Sequence, residues 1–157
     1  MKKPLIGAAA AFTAAAVAFV GPWEGEKTEA YLDRIANPPV WTVCYGETRG
    51  VEKGDRYTPA QCKAMLAVAL QEYHDDLAKC IPALPKQSVE VRVALSSWAY
   101  NVGVGAGCNS TLAKRANAGR WKEACDQLLR WNKAGGVVVR GLTNRRQAEH
   151  RLCVSGL

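Results

Sequence analysis

The stretch EGEKTEAYLDRIANPPVWTVCYGET, residues 24–48, separates an apolar N-terminal segment from a long region of helical sequence. Its first part, residues 24–33, predicts the end of a helix that runs into a loop. Its second part, VWTVCYGET, follows Pro38-Pro39, is rich in β-branched and aromatic residues, and has Gly46 and Gly50 as breakers. This composition predicts a short strand or hairpin, so we expect a small β region here.

The chain beyond residue 57 predicts helices. Thr58 can cap the first of them, Pro59 suits its first turn, and Gln61 completes a capping box. Apolar spacing and glycine or proline breaks predict helices over about 58–80, 88–101, 110–117, 120–131 and 143–153. We therefore expect an α+β fold in which a small hairpin lobe is followed by a mostly helical lobe.

Length and composition indicate one domain. The chain has 157 residues, of which 48% are apolar and 22% charged. These values exclude a disordered chain, a collagen-like fibre, a polytopic membrane protein and a multidomain enzyme. Without residues 1–20, 19 basic residues face 14 acidic ones, a net charge of +5 that favours approach to an anionic envelope.

The N-terminus is typical of an export segment. Lys2 and Lys3 precede a 16-residue uncharged run, LIGAAAAFTAAAVAFV (residues 5–20), and Gly21-Pro22 closes it. As a helix this run would span roughly 24 Å, less than the roughly 30 Å hydrocarbon core of a bilayer. Three interpretations stay open: a signal peptide cleaved after Ala16-Val17-Ala18, a permanent anchor, or a weak helix that enters the bilayer uncleaved and later leaves it. Each places residues 24–157 outside the cytoplasm.

The cysteines agree with export. An even count of six in an exported chain predicts three disulfides, and the absence of any CxxC or CxH pair argues against a metal site. Six cysteines allow 15 pairings, and sequence alone does not choose among them. The pairing that joins neighbours, which would tie adjacent elements together, is Cys44–Cys62, Cys80–Cys108 and Cys125–Cys153.

Common catalytic motifs are missing: the chain has no GxSxG, no GxxxxGK[ST] and no HExxH. His74 and His150 fall on predicted helices among charged residues, so we predict that both are solvated. The basic stretch 140–151 predicts a solvated helix face or one that touches an anionic envelope, and we expect no nucleic-acid partner.

Carboxylates remain as candidates for chemistry, because glycoside hydrolysis uses one carboxylic acid and a second carboxylate. Glu24 and Asp33 are nine residues apart and would face opposite sides of a single helix. If the helix ends near Glu24 and the chain folds back, the two can face each other across a cleft.

The context of this pair closely resembles the phage lysozyme endolysins of glycoside hydrolase family 24. The resemblance spans residues 23–157 and rests on EG-x7-D, WTVCYG-x-T, YNVG, NSTL, ACDQLLRW, AGG and GLTNRR-x-x-E. It implies a lysozyme-like fold with the active site between the two lobes. It also implies a muramidase that hydrolyses the β-1,4 bond between N-acetylmuramic acid and N-acetylglucosamine in peptidoglycan and lyses the host, as a monomer without cofactor or metal.

The resemblance implies roles for five residues. Glu24 would be the general acid, and Asp33 and Thr42 would position and activate water on the opposite face of the sugar, with inversion. Tyr100 and Asn101 would border the cleft and bind substrate. Two departures from the family pattern are an apparent insertion at 35–39 and Glu47 at a position where many relatives have histidine.

The N-terminus resembles the signal-anchor-release branch of these endolysins. This implies export by the host Sec machinery, tethering of residues 5–20 in the inner membrane, and activity of the catalytic domain, residues 21–157, in the periplasm after release. Glu24 lies four residues beyond Val20, so anchoring would hold it at the bilayer surface, away from Asp33. On release, the helix would pack on the body and bring Glu24 into the cleft.

Other functions stay open at this point. A lytic transglycosylase or chitinase-like enzyme on the same architecture would share the fold, and a non-catalytic cationic envelope-binding protein would share the charge and the export signal. Among the tryptophans, we predict Trp98, Trp121 and Trp131 in the core and leave Trp41 open, since it could stack on a sugar.

Overall fold

The computed structural model describes residues 7–157, in which an N-terminal helix is followed by two paired strands and then by a helical lobe. Lys2, Lys3 and the first two residues of the apolar run lie outside the described residues. The helices are α1 (Ala8–Glu24), α2 (Pro59–Cys80), α3 (Val89–Val102), α4 (Val104–Cys108), α5 (Thr111–Asn117), α6 (Trp121–Gln127) and α7 (Arg140–Ser155). The strands are β1 (Lys27–Asp33), β2 (Val40–Cys44), β3 (Lys133–Ala134) and β4 (Val137–Val138). The α+β prediction is confirmed.

Residues 8–20 of the apolar run belong to α1, which packs on the body of the protein. Alanine has the highest helix propensity, and Gly25, with φ of 68°, ends the helix directly after Glu24. Phe12, Ala16 and Val20 recur every four residues, so they share one face, and all three are fully buried. They form a core with residues of β2, α2 and α3, which include Leu66, Leu70 and Val93. Among residues 7–157, no helix has both the length and the apolar character needed to cross a bilayer.

Residues 27–33 correct the prediction of a loop. They form β1, which pairs antiparallel with β2 in the register Tyr31–Thr42, Leu32–Trp41 and Asp33–Val40. The first three residues of β1 are exposed and none of its residues is fully buried, so the strand lacks the apolar alternation by which a sequence reveals a strand. The predicted helix end near Glu24 is confirmed, and the strand predicted within residues 40–48 is β2, which covers its first five residues.

The helical lobe follows the predicted ranges with local differences. Thr58 and Gln61 form the predicted capping box, and Ser88 and Ser110 cap α3 and α5 through their side chains. The segment after Gly103 forms the short helix α4 instead of a break, and Gly135 and Gly136 turn a two-residue hairpin, β3–β4. The predicted helix 120–131 is divided into α6 and a 3₁₀ turn, and α7 is longer than 143–153 at both ends.

The main core surrounds Trp98, which is fully buried, and Trp121 and Trp131 pack against it while partly exposed. Three disulfides join elements around it: Cys44–Cys62, Cys80–Cys108 and Cys125–Cys153. The neighbour pairing is therefore confirmed. These bonds tie β2 to α2, α2 to α4 and α6 to α7.

His74 is buried, and the prediction that it is solvated is wrong. Its ring lies 4.8 Å from that of Phe12, so docking of α1 covers it. Because Arg92 can only donate, His74 Nε2 accepts from Arg92 Nε at 3.1 Å and Nδ1 donates to Asp75 Oδ1 at 3.0 Å. The Arg92 guanidinium also lies 4.7 Å from the centre of the Phe12 ring. A neutral imidazole is therefore part of the surface against which α1 packs.

Acid is expected to weaken the fold through His74. Burial, and to a smaller extent the Arg92 charge, lower the pKa of His74 below its ordinary value near 6.5, against the opposing hydrogen bond to Asp75. The unfolded chain therefore binds this proton first, and stability is lost as the pH falls below about 6.5, by at most about 1.4 kcal/mol per pH unit. Urea unfolding at pH 7 and pH 5 should show a larger loss for the parent than for His74→Gln.

His150→Gln is the matched control, because it removes a histidine of α7 and leaves His74 in place. This control should lose at least as much stability in acid as the parent, because it removes the His150–Asp126 pair (2.7 Å) but keeps His74. Equal losses in the parent and in His74→Gln would contradict the assignment to His74.

Candidate active site

A cleft of about 600 Å³ lies between the hairpin lobe and the helical lobe. The end of α1 contributes Glu24, the turn after β2 contributes residues 45–49, α2 contributes Glu72 and Asp76, and α3 contributes Tyr100. Glu24 also lines a smaller neighbouring depression of about 220 Å³, together with Tyr31 of β1 and Cys44 of β2. Glu24 and Gly46 line both concave surfaces, and of these two only Glu24 has an ionisable side chain.

Arg145 of α7 fixes the position of Glu24. Its Nη1 donates to Glu24 Oε1 at 2.5 Å, while Nη2 donates to the Ser97 carbonyl oxygen at 3.1 Å. The Arg145 side chain is 5% exposed and that of Glu24 is 21% exposed, so the pair is largely shielded from water. The Glu24 carboxylate therefore lies at the edge of the cleft, and Arg145 holds one of its oxygens.

A second carboxylate, Glu149 of α7, supports Arg145 from beneath. Glu149 is fully buried and accepts from Arg145 Nε at 3.2 Å and from the Ser97 hydroxyl at 2.7 Å. Its other oxygen forms an ion pair with Arg146 Nε at 2.9 Å. Burial raises the pKa of Glu149, and Arg146, Ser97 and Arg145 oppose that rise. Two arginines and one hydroxyl thus surround a single buried carboxylate.

These buried residues correct the prediction of a solvated basic face over residues 140–151. Arg145 is 4% exposed and Arg146 is fully buried. Sequence reasoning missed Arg145, Arg146, Glu149 and Ser97 as parts of the site. The available signal was NRR-x-x-E, because spacings of three and four residues put both arginines beside the glutamate on one helix face.

Asp33 and Thr42 lie together on the hairpin, and neither is among the residues that line the main cleft. Thr42 pairs with Tyr31, and Asp33 is two residues beyond Tyr31, so both side chains occupy the same face as diagonal neighbours. Asp33 Oδ1 accepts from the backbone N–H of Ile35 at 2.9 Å, and the buried Thr42 hydroxyl donates to the Val40 carbonyl oxygen at 3.3 Å. Neither residue lines the 600 Å³ cleft, and Trp41 lies on the opposite face of the hairpin.

Tyr100 and Asn101 are placed differently from each other. Tyr100 lines the cleft, and its hydroxyl donates to the Tyr45 carbonyl oxygen at 2.6 Å, which joins α3 to the hairpin lobe. Burial raises the pKa of Tyr100, so this hydroxyl stays protonated and a donor. Asn101 is exposed, is not among the residues that line the cleft, and accepts from Arg146 Nη2 at 2.9 Å.

Glu47 lies in the cleft but its carboxylate is fully engaged. Oε1 accepts from the backbone N–H groups of Thr48 and Arg49 at 2.9 and 2.8 Å, and both oxygens contact the Arg49 guanidinium. Hydrogen bonds from Arg49 lower the pKa of Glu47 against the effect of its burial. Glu47 is therefore a poor proton donor.

Within residues 7–157, no group of three His, Cys, Asp or Glu side chains is arranged to hold a metal ion.

Comparison with known sequences gives one family. The phage lysozyme family model matches residues 21–149. The SAR-endolysin of Pseudomonas phage phiKMV is 41% identical over 158 residues, which cover 98% of this chain and 93% of that protein.

Solved structures with the same fold include the muramidase domain of SpmX from Asticaccaulis excentricus. It is 25% identical with a TM-score of 0.79, over 89% of this chain and 95% of that one. The active form of the P1 phage endolysin Lyz is 26% identical with a TM-score of 0.76, over 90% of this chain and 84% of that one. The secreted inactive form of the same endolysin gives a TM-score of 0.51 at 25% identity, over 69% of this chain and 76% of that one.

Removing the charge of Glu149 is expected to destabilise the protein. Glu149→Gln leaves Arg146 without its buried counter-ion, and breaking a buried pair in this way costs about 3–5 kcal/mol. Urea unfolding measures this loss as a lower midpoint. Glu123→Gln is the control, because Glu123 pairs with Arg115 and Arg120 on the surface and its loss should change stability by less than about 0.5 kcal/mol. Equal midpoints for the two variants would contradict the role of the buried cluster.

Proposed function

The chain belongs to the phage lysozyme family and is a glycosidase that cleaves peptidoglycan, and we propose that Glu24 is the general acid of this reaction. The bond cleaved is the β-1,4 linkage between N-acetylmuramic acid and N-acetylglucosamine, and cleavage lyses the host cell. The observation that carries the assignment is the position of Glu24 in both concave surfaces, with Arg145 on one oxygen.

The free oxygen of Glu24 can carry the proton. Arg145 occupies Oε1, whereas Oε2 has no hydrogen bond from any of residues 7–157. A glycosidic oxygen bound in the cleft needs a proton as its bond to carbon breaks, because an alkoxide is a poor leaving group. Arg145 holds the carboxyl group in one orientation, so Oε2 presents its proton at a fixed place.

Asp33 and Thr42 are proposed to position and activate the attacking water. The register places both on one face of the hairpin with Tyr31, and Tyr31 lines the depression that Glu24 also lines. A water between the hairpin face and the sugar would attack opposite to the leaving oxygen, and inversion would follow. Asp33 Oδ1 is held by the loop, and its second oxygen takes no bond from the described chain, so it can accept a proton from water.

Loss of the acid is expected to abolish most activity. Glu24→Gln keeps the shape of the side chain but removes the proton, and general acid catalysis contributes about 10²–10⁴-fold to the rate. Purified peptidoglycan would be digested with the oxidised protein, and the products would be read by mass spectrometry. Glu123→Gln, which changes an exposed carboxylate of α6 that lines neither concave surface, is the matched control and should keep the parent rate.

The products separate the other functions. Free reducing muramic ends from the parent, absent with Glu24→Gln, fit the hydrolytic role. Anhydro-muramic ends would instead indicate a transglycosylase. Binding without cleavage by the folded parent would indicate an envelope-binding protein.

The N-terminal segment, residues 1–20, is proposed to export the protein through the host Sec machinery and to tether it in the inner membrane. Three observations support this. The run 5–20 is apolar but half alanine, the phiKMV relative is a SAR-endolysin, and α1 docks through only one face, with Phe12 and Val20 buried. The same helix can therefore lie in lipid in the tethered form and against α2 and α3 in the periplasmic form.

Tethering is proposed to keep the enzyme inactive. Glu24 ends α1, so any position of α1 in the bilayer draws Glu24 away from Arg145 on α7. The fold of the described residues is closer to the active form of P1 Lyz than to its secreted inactive form, which fits a docked α1 as the active arrangement.

The protein released from membranes is expected to retain α1. Intact mass spectrometry of the soluble periplasmic fraction, after the membrane is depolarised, should give a chain that includes residues 8–20. The membrane fraction before depolarisation should give the same mass, because release breaks no peptide bond. A soluble chain beginning after Ala18 would show cleavage and would contradict release of the intact helix.

A further inference from the structure

The main cleft carries one cation among several carboxylates. Of the residues described, its lining includes Glu24, Glu47, Glu72 and Asp76, and the single positively charged group is Arg49. Peptidoglycan is an anionic substrate, since its muramic acid units bear short peptides that end in free carboxylates. The carboxylates of the cleft and those of the substrate peptide repel each other. Binding of the peptide therefore needs a cation where the peptide enters the cleft.

Glu47 holds the Arg49 guanidinium in a defined orientation. Glu47 Oε1 and Oε2 accept from Nε and Nη2 at 3.2 Å each, and Oε1 also accepts from the Arg49 backbone N–H. The Glu47 side chain is only 17% exposed, and its backbone is fixed by reciprocal hydrogen bonds with Val43 at 2.9 Å. One edge of the guanidinium is thus anchored to the hairpin lobe.

The other edge of Arg49 reaches across the cleft. Its Nη1 donates to Glu72 Oε2 of α2 at 3.0 Å, and the two side chains are 63% and 49% exposed. An ion pair this exposed is weak, because water competes for both groups. A substrate carboxylate can therefore replace Glu72 and bind the Nη1–Nη2 edge of the guanidinium in the two-pronged geometry that arginine favours.

We propose that Arg49 is a specificity-determining residue that binds a carboxylate of the peptide carried by muramic acid, and that Glu72 holds its place when the cleft is empty. This inference rests on the proposed muramidase function. It assigns to Glu47 the role of orienting Arg49, and it places the peptide beside α2, at the rim of the cleft between the hairpin turn and Glu72.

The test pairs a change in the enzyme with a change in the substrate. Uncrosslinked peptidoglycan strands are used either native or after carbodiimide coupling to ammonia, which converts the peptide carboxylates to amides. On native strands, Arg49→Gln should raise KM about tenfold with kcat changed less than twofold, as expected for loss of one charged hydrogen-bond pair. On amidated strands, the parent and Arg49→Gln should have equal KM values.

Three further variants sharpen the result. Arg49→Lys keeps the positive charge but loses the bidentate geometry of the guanidinium. Its KM on native strands should therefore lie between those of the parent and Arg49→Gln. Glu72→Gln removes the competing carboxylate and should lower KM on native strands, with no change on amidated ones. Arg120→Gln, which removes an exposed charge at the start of α6, should match the parent on both substrates.

An equal effect of Arg49→Gln on both substrates would overturn the inference, since a structural role does not depend on the peptide carboxylates. A fall in kcat with unchanged KM would overturn it as well. A folded parent that cleaves neither substrate would contradict the proposed function itself, and this inference would fall with it.

Discussion

The buried carboxylate of Glu149 constrains the rest of the structure. A charge without solvent access must be paired, and Arg145, Arg146 and the Ser97 hydroxyl meet it from α7 and α3. This network joins α7 to α3 and leaves Nη1 of Arg145 to point toward the cleft. Because Nη1 donates to Glu24, the interior charge cluster and the edge of the cleft that Glu24 forms are parts of a single network.

This network gives α1 two separate attachments to the body. Its apolar face contributes Phe12 and Val20, whose burial is worth about 1.5–3 kcal/mol each. Its last residue contributes the ion pair with Arg145. In the proposed tethered form, a helix this rich in alanine gains little free energy from the bilayer, so the modest free energy of docking can compete with insertion. In the docked arrangement the apolar face and Glu24 belong to one helix, which continues through Pro22 to Glu24, so both attachments are made together.

Local signals predicted much of this fold. The capping box at Thr58, the ends of α2 before Pro82 and of α3 before Gly103, and a strand within residues 40–48 depend on neighbours in the sequence, and these are present. Contacts between distant elements were the part that failed. His74 was predicted to be solvated because the sequence of α2 does not indicate that Phe12 of α1 covers it. Arg145 and Arg146 were predicted to be solvated because some of their partners lie on α1 and α3, far away in the sequence.

The apparent insertion at residues 35–39 leaves the proposed water-activating pair in place. Asp33 pairs with Val40, so residues 34–39 all lie in the loop that joins β1 and β2. Extra residues there lengthen the connection without shifting the register, and a shift by one residue is what would move Asp33 to the other face. The Asp33 carboxylate begins the loop by accepting from the N–H groups of Ile35 and Ala36, and the Ile35 side chain projects into solvent. The longer Asp33-to-Thr42 spacing is therefore absorbed outside the sheet, and the two side chains remain diagonal neighbours on one face of the hairpin.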